Sequence, residues 1–244
     1  MGNKSSTSHS STFSRGQGVT SDIRDALATI PGSQPKNKTG RKVTAQKVKT
    51  AGATGVLALQ EHGLKEIPED IFQLINLRTL NLASNALKII PGALCSLTKL
   101  KTLRVDNNKL ETLPDLSALL ALTDLSARGN HLQGANALGP LPPSLIKLGL
   151  QGNQLGGFPA SLPSRKQNSS SLNTTNSLLV VTTLQVLDLS ENGIVFVPAL
   201  SPCLPLLVEL SLDSNSIGSL GGDIAGLRKL KKLSLRRNRI GSKN

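Results

Sequence analysis

From Thr54 onward the apolar residues follow neither the helical period of 3.6 nor the strict alternation of a half-buried strand. In LRTLNLASNALKIIP, Leu77 to Pro91, leucines take the first, fourth, sixth and eleventh positions, an asparagine takes the ninth, and a proline closes the stretch. The template L-x-x-L-x-L-x-x-N-x-L recurs with starts at Thr54, Leu77, Leu100, Leu122, Leu145, Leu184, Leu207 and Leu230, which are 23, 23, 22, 23, 39, 23 and 23 residues apart. Self-similarity at such a period marks a solenoid, because one unit cannot bury its apolar face alone and stacking the units makes a continuous core. The spacing predicts a short strand within positions three to seven of each unit, parallel to the strand of the next, with positions one, four, six and eleven turned into the core. The expected fold is therefore an α/β solenoid of about eight repeats of 22–23 residues with a parallel β-sheet along one face.

The ninth position is His62 in the first repeat and Asn85, Asn108, Asn130, Asn153, Asn192, Asn215 and Asn238 in the others. The chain leaves the strand there, and an asparagine amide satisfies backbone groups that would otherwise be buried without partners. His62, which both donates and accepts, is read as its end-repeat substitute, and His131 as solvent-facing. Two repeats depart from the template. Ala127 replaces the sixth-position leucine of the fourth, which thins the core there. The fifth carries a polar insertion at about residues 163–178, SRKQNSSSLNTTNS within it, that has too little apolar area to bury. The glycines of GSLGGDIAG lack the strand-turn-helix setting of a nucleotide fingerprint and read as a tight turn.

At these residues the chain resembles the leucine-rich repeat family, and the segments KEIPEDIFQL and ETLPDLSAL resemble the intracellular repeats of the Ras-suppressor kind. The resemblance covers residues 54–244. It implies a horseshoe with the parallel sheet on its concave face, and by analogy a protein partner such as a small GTPase or its regulator. It fixes fold better than function.

Composition narrows the function. The chain has no Trp or Tyr, four Phe and three His, and side chains of those types line most ligand pockets and base-stacking surfaces. Nothing in the sequence assembles a nucleophile, base and acid, a phosphate loop or a metal cluster. We therefore expect no enzyme, no cofactor, no metal and no small-molecule substrate. The net charge of +13 suggests nucleic acid until it is located. Residues 1–50 hold nine Lys or Arg against two Asp, residues 228–244 hold eight with no acid, and residues 51–227 hold eleven basic and thirteen acidic side chains. A neutral middle does not fit a nucleic-acid groove, so no nucleic-acid partner is expected. Cys95 and Cys203, without companions at metal spacing, read as small buried hydrophobes in a reducing compartment, which points to the cytoplasm.

On the strand face the charges fall in bands. Arg78, Lys101, Arg104, Arg128 and Lys147 form a basic band interrupted by Asp106 and Asp124; Asp188, Glu191, Glu209 and Asp213 form an acidic one; Lys231, Lys232, Arg236 and Arg237 close with a second basic one. Eight strands at about 4.8 Å spacing make a wall roughly 40 Å long. Alternating bands suit a protein partner with complementary charges, although an exposed strand face is polar in any case.

The opening MGNKSSTSHS places Gly2 and Ser6 at the spacing of an N-myristoylation signal. One myristoyl chain binds a bilayer with an association constant on the order of ten thousand per molar, so a second signal is required. Lys4 and the acid-free run of Lys36, Lys38, Arg41, Lys42, Lys47 and Lys49 supply one, at about 1 kcal/mol per cation near an anionic surface. The Gly2 signal together with TAQKVKTAGATGVLALQEHGLKEIPEDIFQL resembles the small N-myristoylated leucine-rich repeat-containing proteins. That resemblance implies a tail at residues 1–40, a cap at 41–53, the repeats at 54–244, and attachment to the cytoplasmic face of a membrane. The expected function is a non-catalytic adaptor tethered at a membrane, with a soluble regulatory or targeting subunit of a phosphatase, GTPase or ligase complex as the alternative.

Overall fold

The structure, a computed structural model, describes residues 38–160, 162, 183–200, 204–220 and 224–241. They lie within one unit, Pro35–Asn244. The chain opens with helix α1 (Lys38–Thr54), followed by strands β1 (Val56–Ala58), β2 (Thr79–Asn81), β3 (Thr102–Arg104), β4 (Asp124–Ser126), β5 (Lys147–Gly149), β6 (Val186–Asp188), β7 (Phe196–Val197), β8 (Glu209–Ser211), β9 (Ser219–Leu220) and β10 (Lys232–Ser234). Eight of these form one parallel sheet in the order β1-β2-β3-β4-β5-β6-β8-β10. Its register aligns the fourth template position throughout: Leu57, Leu80, Leu103, Leu125, Leu148, Leu187, Leu210 and Leu233 lie side by side. This is the expected leucine-rich repeat horseshoe. Each sheet strand covers positions three to five, shorter than the expected three to seven. Beyond it the ladder continues through the amides of positions six, eight and ten, as when Leu59 N–H donates to Asn81 O at 2.8 Å, Glu61 N–H to Ala83 O at 3.1 Å and Ala86 N–H to Leu64 O at 2.8 Å.

Backbone conformation explains the shortening. Position eight has φ between 52° and 69° in every repeat: Glu61, Ser84, Asn107, Gly129, Gly152, Glu191, Ser214 and Arg237. A left-handed residue there ends the strand and turns the ninth side chain inward, and six of the eight are not glycine, each carrying some backbone strain.

What holds that strain is the asparagine ladder. Asn85 Nδ2 donates to the carbonyls of Leu59 and Leu82, both at 2.8 Å, and its Oδ1 accepts from the amides of His62 and Leu64 at 3.0 and 2.9 Å. Asn108, Asn130, Asn153, Asn215 and Asn238 repeat the arrangement, each bonding backbone of its own repeat and of the one before. Asn192, directly after the enlarged fifth repeat, donates to Leu150 O, Leu189 O and Ser190 O, but its buried Oδ1 has no partner.

Inside the ring the leucines of positions one, four, six and eleven are buried through the seventh repeat, Ala127 with them, while in the eighth Leu230 and Leu235 are half-buried and Leu233 is exposed. The opposite side is built from short 3-10 turns. Pro68 and Pro91 precede Glu69–Gln73 and Gly92–Ser96, and Ile71 and Leu94 plug the core from them. Proline presets the entry φ and has no N–H to leave unpaired. Strands β7 and β9 pair as a small second sheet behind the sixth and seventh repeats. The insertion expected at residues 163–178 and Cys203 lie outside the described residues.

Helix α1 closes the amino-terminal end of the core, with Ala51 buried and Val48 packed beside it. Lys47 Nζ lies 3.2 Å from Ala58 O and 3.2 Å from His62 Nε2, while His62 Nδ1 lies 2.5 Å from Gln60 O. A carbonyl only accepts, so Nδ1 carries the proton and Nε2 accepts from the ammonium. His62 holds the ninth position, where its Nδ1 reaches the Gln60 carbonyl as Asn85 Nδ2 reaches that of Ala83, and its other ring nitrogen ties the cap to the first repeat. Cys95 is half-buried rather than enclosed, with Sγ donating to Asp115 O at 3.3 Å.

Candidate functional site: the concave sheet face

Because the fourth and sixth template positions point into the core, positions three and five of each strand stand on the opposite, concave face. Position two enters the strand and positions seven and eight leave it, and these three form the rims. The charged residues read as bands on the sequence occupy these positions. Arg78 and Lys101 occupy position two; Lys147, Glu209 and Lys232 position three; Arg104 and Asp188 position five; Arg128, Asp213 and Arg236 position seven. The sheet thus brings together residues up to 158 positions apart, from Arg78 to Arg236.

Side-chain bonds then divide the face. Arg128 reaches across β5 to Asp188, with Nη2 to Oδ2 at 3.3 Å and side chains 50% and 19% exposed. The crossing depends on Gly149. A Cβ at that residue would lie 2.8 Å from Arg128 Nε, so a bare backbone lets the guanidinium lie over the strand. Sequence reasoning missed Gly149; its signal was a glycine inside a strand, which often marks a close approach. Lys232 pairs more loosely with Glu209 at 3.6 Å.

Asp106 and Asp213 play one role in two places. Asp106 Oδ1 accepts from Ser126 Oγ at 2.5 Å and the Arg128 amide at 2.8 Å; Asp213 Oδ1 accepts from Ser234 Oγ at 2.6 Å and the Arg236 amide at 2.7 Å. Both carboxylates brace the next repeat. Glu191 accepts from Gln151 Nε2 at 3.1 Å. Around Asp188 and Asp213 the face sinks into a shallow depression of about 360 Å³, with Ser190 and Ser211 on its floor and Arg236 and Arg237 at its edge. By contrast Arg78, Lys101 and Arg104 are exposed and enter no ion pair among the described residues.

Of the basic segment, Gly2, Lys4 and Lys36 lie outside the described residues; Lys38, Arg41, Lys42, Lys47 and Lys49 belong to α1. The Lys47 ammonium bonds the Ala58 carbonyl and His62 Nε2, which holds its side chain against the first repeat. No helix among the described residues is long and apolar enough to cross a membrane, and among them no group of three or more His, Cys, Asp or Glu is placed to hold a metal ion. The Cys95 thiol is pushed up, first by burial and then by the charge of Asp115, while Asp115 is lowered by its bonds from the Ser117 hydroxyl and amide. A raised thiol is a poor nucleophile at neutral pH.

Residues 55–110 and 182–240 match the family model described as leucine rich repeat. No curated protein matches the chain. Among solved structures, a leucine-rich repeat protein of Leptospira interrogans is 25% identical with a TM-score of 0.53, over 80% of this chain and 58% of that one. The leucine-rich repeat domain of a Shigella effector is 23% identical with a TM-score of 0.62, over 90% of this chain and 84% of the domain. A plant peptide hormone receptor, RGFR1, in complex with RGF2, is 24% identical with a TM-score of 0.54, over 77% of this chain and 30% of the receptor. The chain thus spans little more than half of the Leptospira protein. The matched segments are leucine-rich repeats, and the fold is a leucine-rich repeat solenoid, a fold that commonly mediates protein–protein interaction.

Proposed function

We propose that this chain is a non-catalytic interaction scaffold that binds a protein segment on its concave face and is held at a membrane surface by a myristoyl group on Gly2. The observation that carries the reading is the concave face itself: eight parallel strands present two rows of outward side chains with charges in alternating bands. Such a face is wide, rigid and selective by charge. The plant receptor in complex with RGF2 has this fold, which makes a peptide-like ligand a reasonable class. A small GTPase or its regulator is the analogy drawn from the Ras-suppressor-like repeats.

The tether rests on MGNKSS and on the cations of the following segment: Lys36, Lys38, Arg41, Lys42, Lys47 and Lys49. At about 1 kcal/mol each near an anionic leaflet they supply the second signal that one acyl chain needs. Metabolic labelling with a myristate analogue and membrane fractionation, on wild type and Gly2→Ala, test it. Label and membrane recovery in wild type but not in the variant support the tether. Absence of both in wild type leaves a soluble regulatory subunit of a phosphatase, GTPase or ligase complex.

A further inference from the structure

The amino-terminal third of the concave face differs from the rest in holding, on its strand positions and entry rim, cations and no acid. Over β4 to β10 acidic and basic side chains are interspersed: Arg128 pairs with Asp188, Lys232 with Glu209, and Asp213 is turned to Ser234 and the Arg236 amide, while Lys147, Lys231, Arg236 and Arg237 enter no ion pair among the described residues. Over β1 to β3 the strand positions and their entry rim hold Arg78, Lys101 and Arg104, all exposed and unpaired among the described residues, and no acid. The nearest carboxylate on the exit rim, Asp106, is turned to the fourth repeat by Ser126 and the Arg128 amide. Between the cations stand Thr79, Thr102 and Asn81. Asn81 Oδ1 accepts from its own turn at Ala83 N–H at 3.0 Å, so its Nδ2 hydrogens remain as donors. The surface is therefore rich in donors and positive charge.

An apolar foothold lies beside it. Val56 on β1 is 53% exposed, and the register sets it against Thr79 and then Thr102, with Ala58 against Asn81 and Arg104. Strands are about 4.8 Å apart, and an extended peptide advances about 3.3 Å per residue. A peptide crossing the strands with an apolar side chain on Val56 thus brings residues about two and three positions further on over Arg78 and Arg104.

We propose, resting on the reading of the concave face as the binding surface, that β1 to β3 form a docking subsite for an extended protein segment in which an apolar residue is followed by Asp or Glu side chains. Arginine forks match carboxylates two bonds at a time, and because the cations are unpaired in the free protein no internal ion pair is lost on binding. This assigns the two ends of the wall different roles. The acidic depression near Asp188 and Asp213 is a braced part of the sheet, and the basic third offers cations with no acid among them on the strand positions and entry rim.

The test uses the full chain and a fluorescent peptide carrying one leucine followed by a run of glutamates, read by anisotropy. Wild type binds it, and the affinity falls as salt rises. Arg78→Ser with Arg104→Ser lowers affinity by about tenfold or more, as expected for losing two charge-assisted contacts. Val56→Ser, or serine for the peptide leucine, lowers it several-fold, and a lysine run abolishes it. Both protein changes lie on exposed side chains, and an unchanged thermal melt establishes that the fold is intact. Absence of binding by the wild type, or equal binding by the double arginine variant, overturns the subsite. So does binding to phosphatidylserine vesicles through the same arginines without binding to the peptide. Partner capture on an Asp213→Lys variant separates this failure from the wider one. Capture that responds to Asp213→Lys but not to the arginine changes moves the site along the wall, whereas capture indifferent to both removes the concave face from function.

Discussion

Each ninth-position asparagine serves two repeats, and that makes it costly to remove. Asn108 is buried and bonds Leu82 O, Val105 O and the Leu87 amide. Asn108→Ala strands the Leu87 amide in the core, while Leu82 O and Val105 O keep their bonds from Asn85 and Asn130, so urea unfolding should show a loss of roughly 1–3 kcal/mol. Two glycines make a sharper contrast. A Cβ on Gly139 would meet the Pro114 carbonyl carbon and oxygen, both at 2.5 Å, and backbone cannot step aside; Gly139→Ala should lose about 1–3 kcal/mol. A Cβ on Gly149 meets the movable end of Arg128, so Gly149→Ala should melt within roughly 0.5 kcal/mol of wild type. It should nonetheless displace Arg128 from Asp188, because a partly exposed ion pair contributes at most about 1 kcal/mol. Cys95 offers a pH test in a Cys203→Ser background. With its thiol raised, thiolate appears only as pH climbs past the ordinary thiol range; alkylation should be slow at neutral pH and keep accelerating above it. Asp115→Asn removes part of that upward push and should speed the neutral reaction.

At the scale of elements, what could be read in advance was whatever repeats. The leucine and asparagine positions recur every 22 or 23 residues, so strand order, register and core follow from one repeat read eight times. Strand length was overestimated because the left-handed turn at position eight leaves little trace in residue type: glutamate, serine, asparagine and arginine all occupy it. Contacts made once were illegible for the same reason. Lys47 and His62 are ordinary residues in their own segments, and only the docking of α1 on β1 brings the ammonium to the ring. That contact predicts that Lys47→Met loosens the cap: amide exchange should quicken through residues 44–54 while residues in β3 and β4 keep their protection.

On the scale of the whole molecule, the positive charge read as belonging to the two ends does not by itself mark the binding surface. In the last repeat Lys232 is paired with Glu209 and Arg236 enters no ion pair among the described residues, while three cations near the start of the sheet are unpaired with no acid among them on the strand positions and entry rim. Net charge is visible in a sequence, but whether a charge is already satisfied depends on neighbours 20 to 60 residues away, such as Ser126 for Asp106 and Asp188 for Arg128. The same nearest-neighbour logic governs stability, since each repeat packs only on those beside it. Leu103 and Leu233 hold the same template position, but Leu103 is enclosed by repeats on both sides and Leu233 is 37% exposed in the last strand. Leu103→Ala should therefore lose about 2–5 kcal/mol in urea unfolding. Leu233→Ala should lose less than about 1 kcal/mol, because a side chain already partly in water gives up less transfer energy. If the two losses were equal, the outer face of the last repeat would have to be covered in solution, and a one-dimensional stack with a free end would be the wrong description.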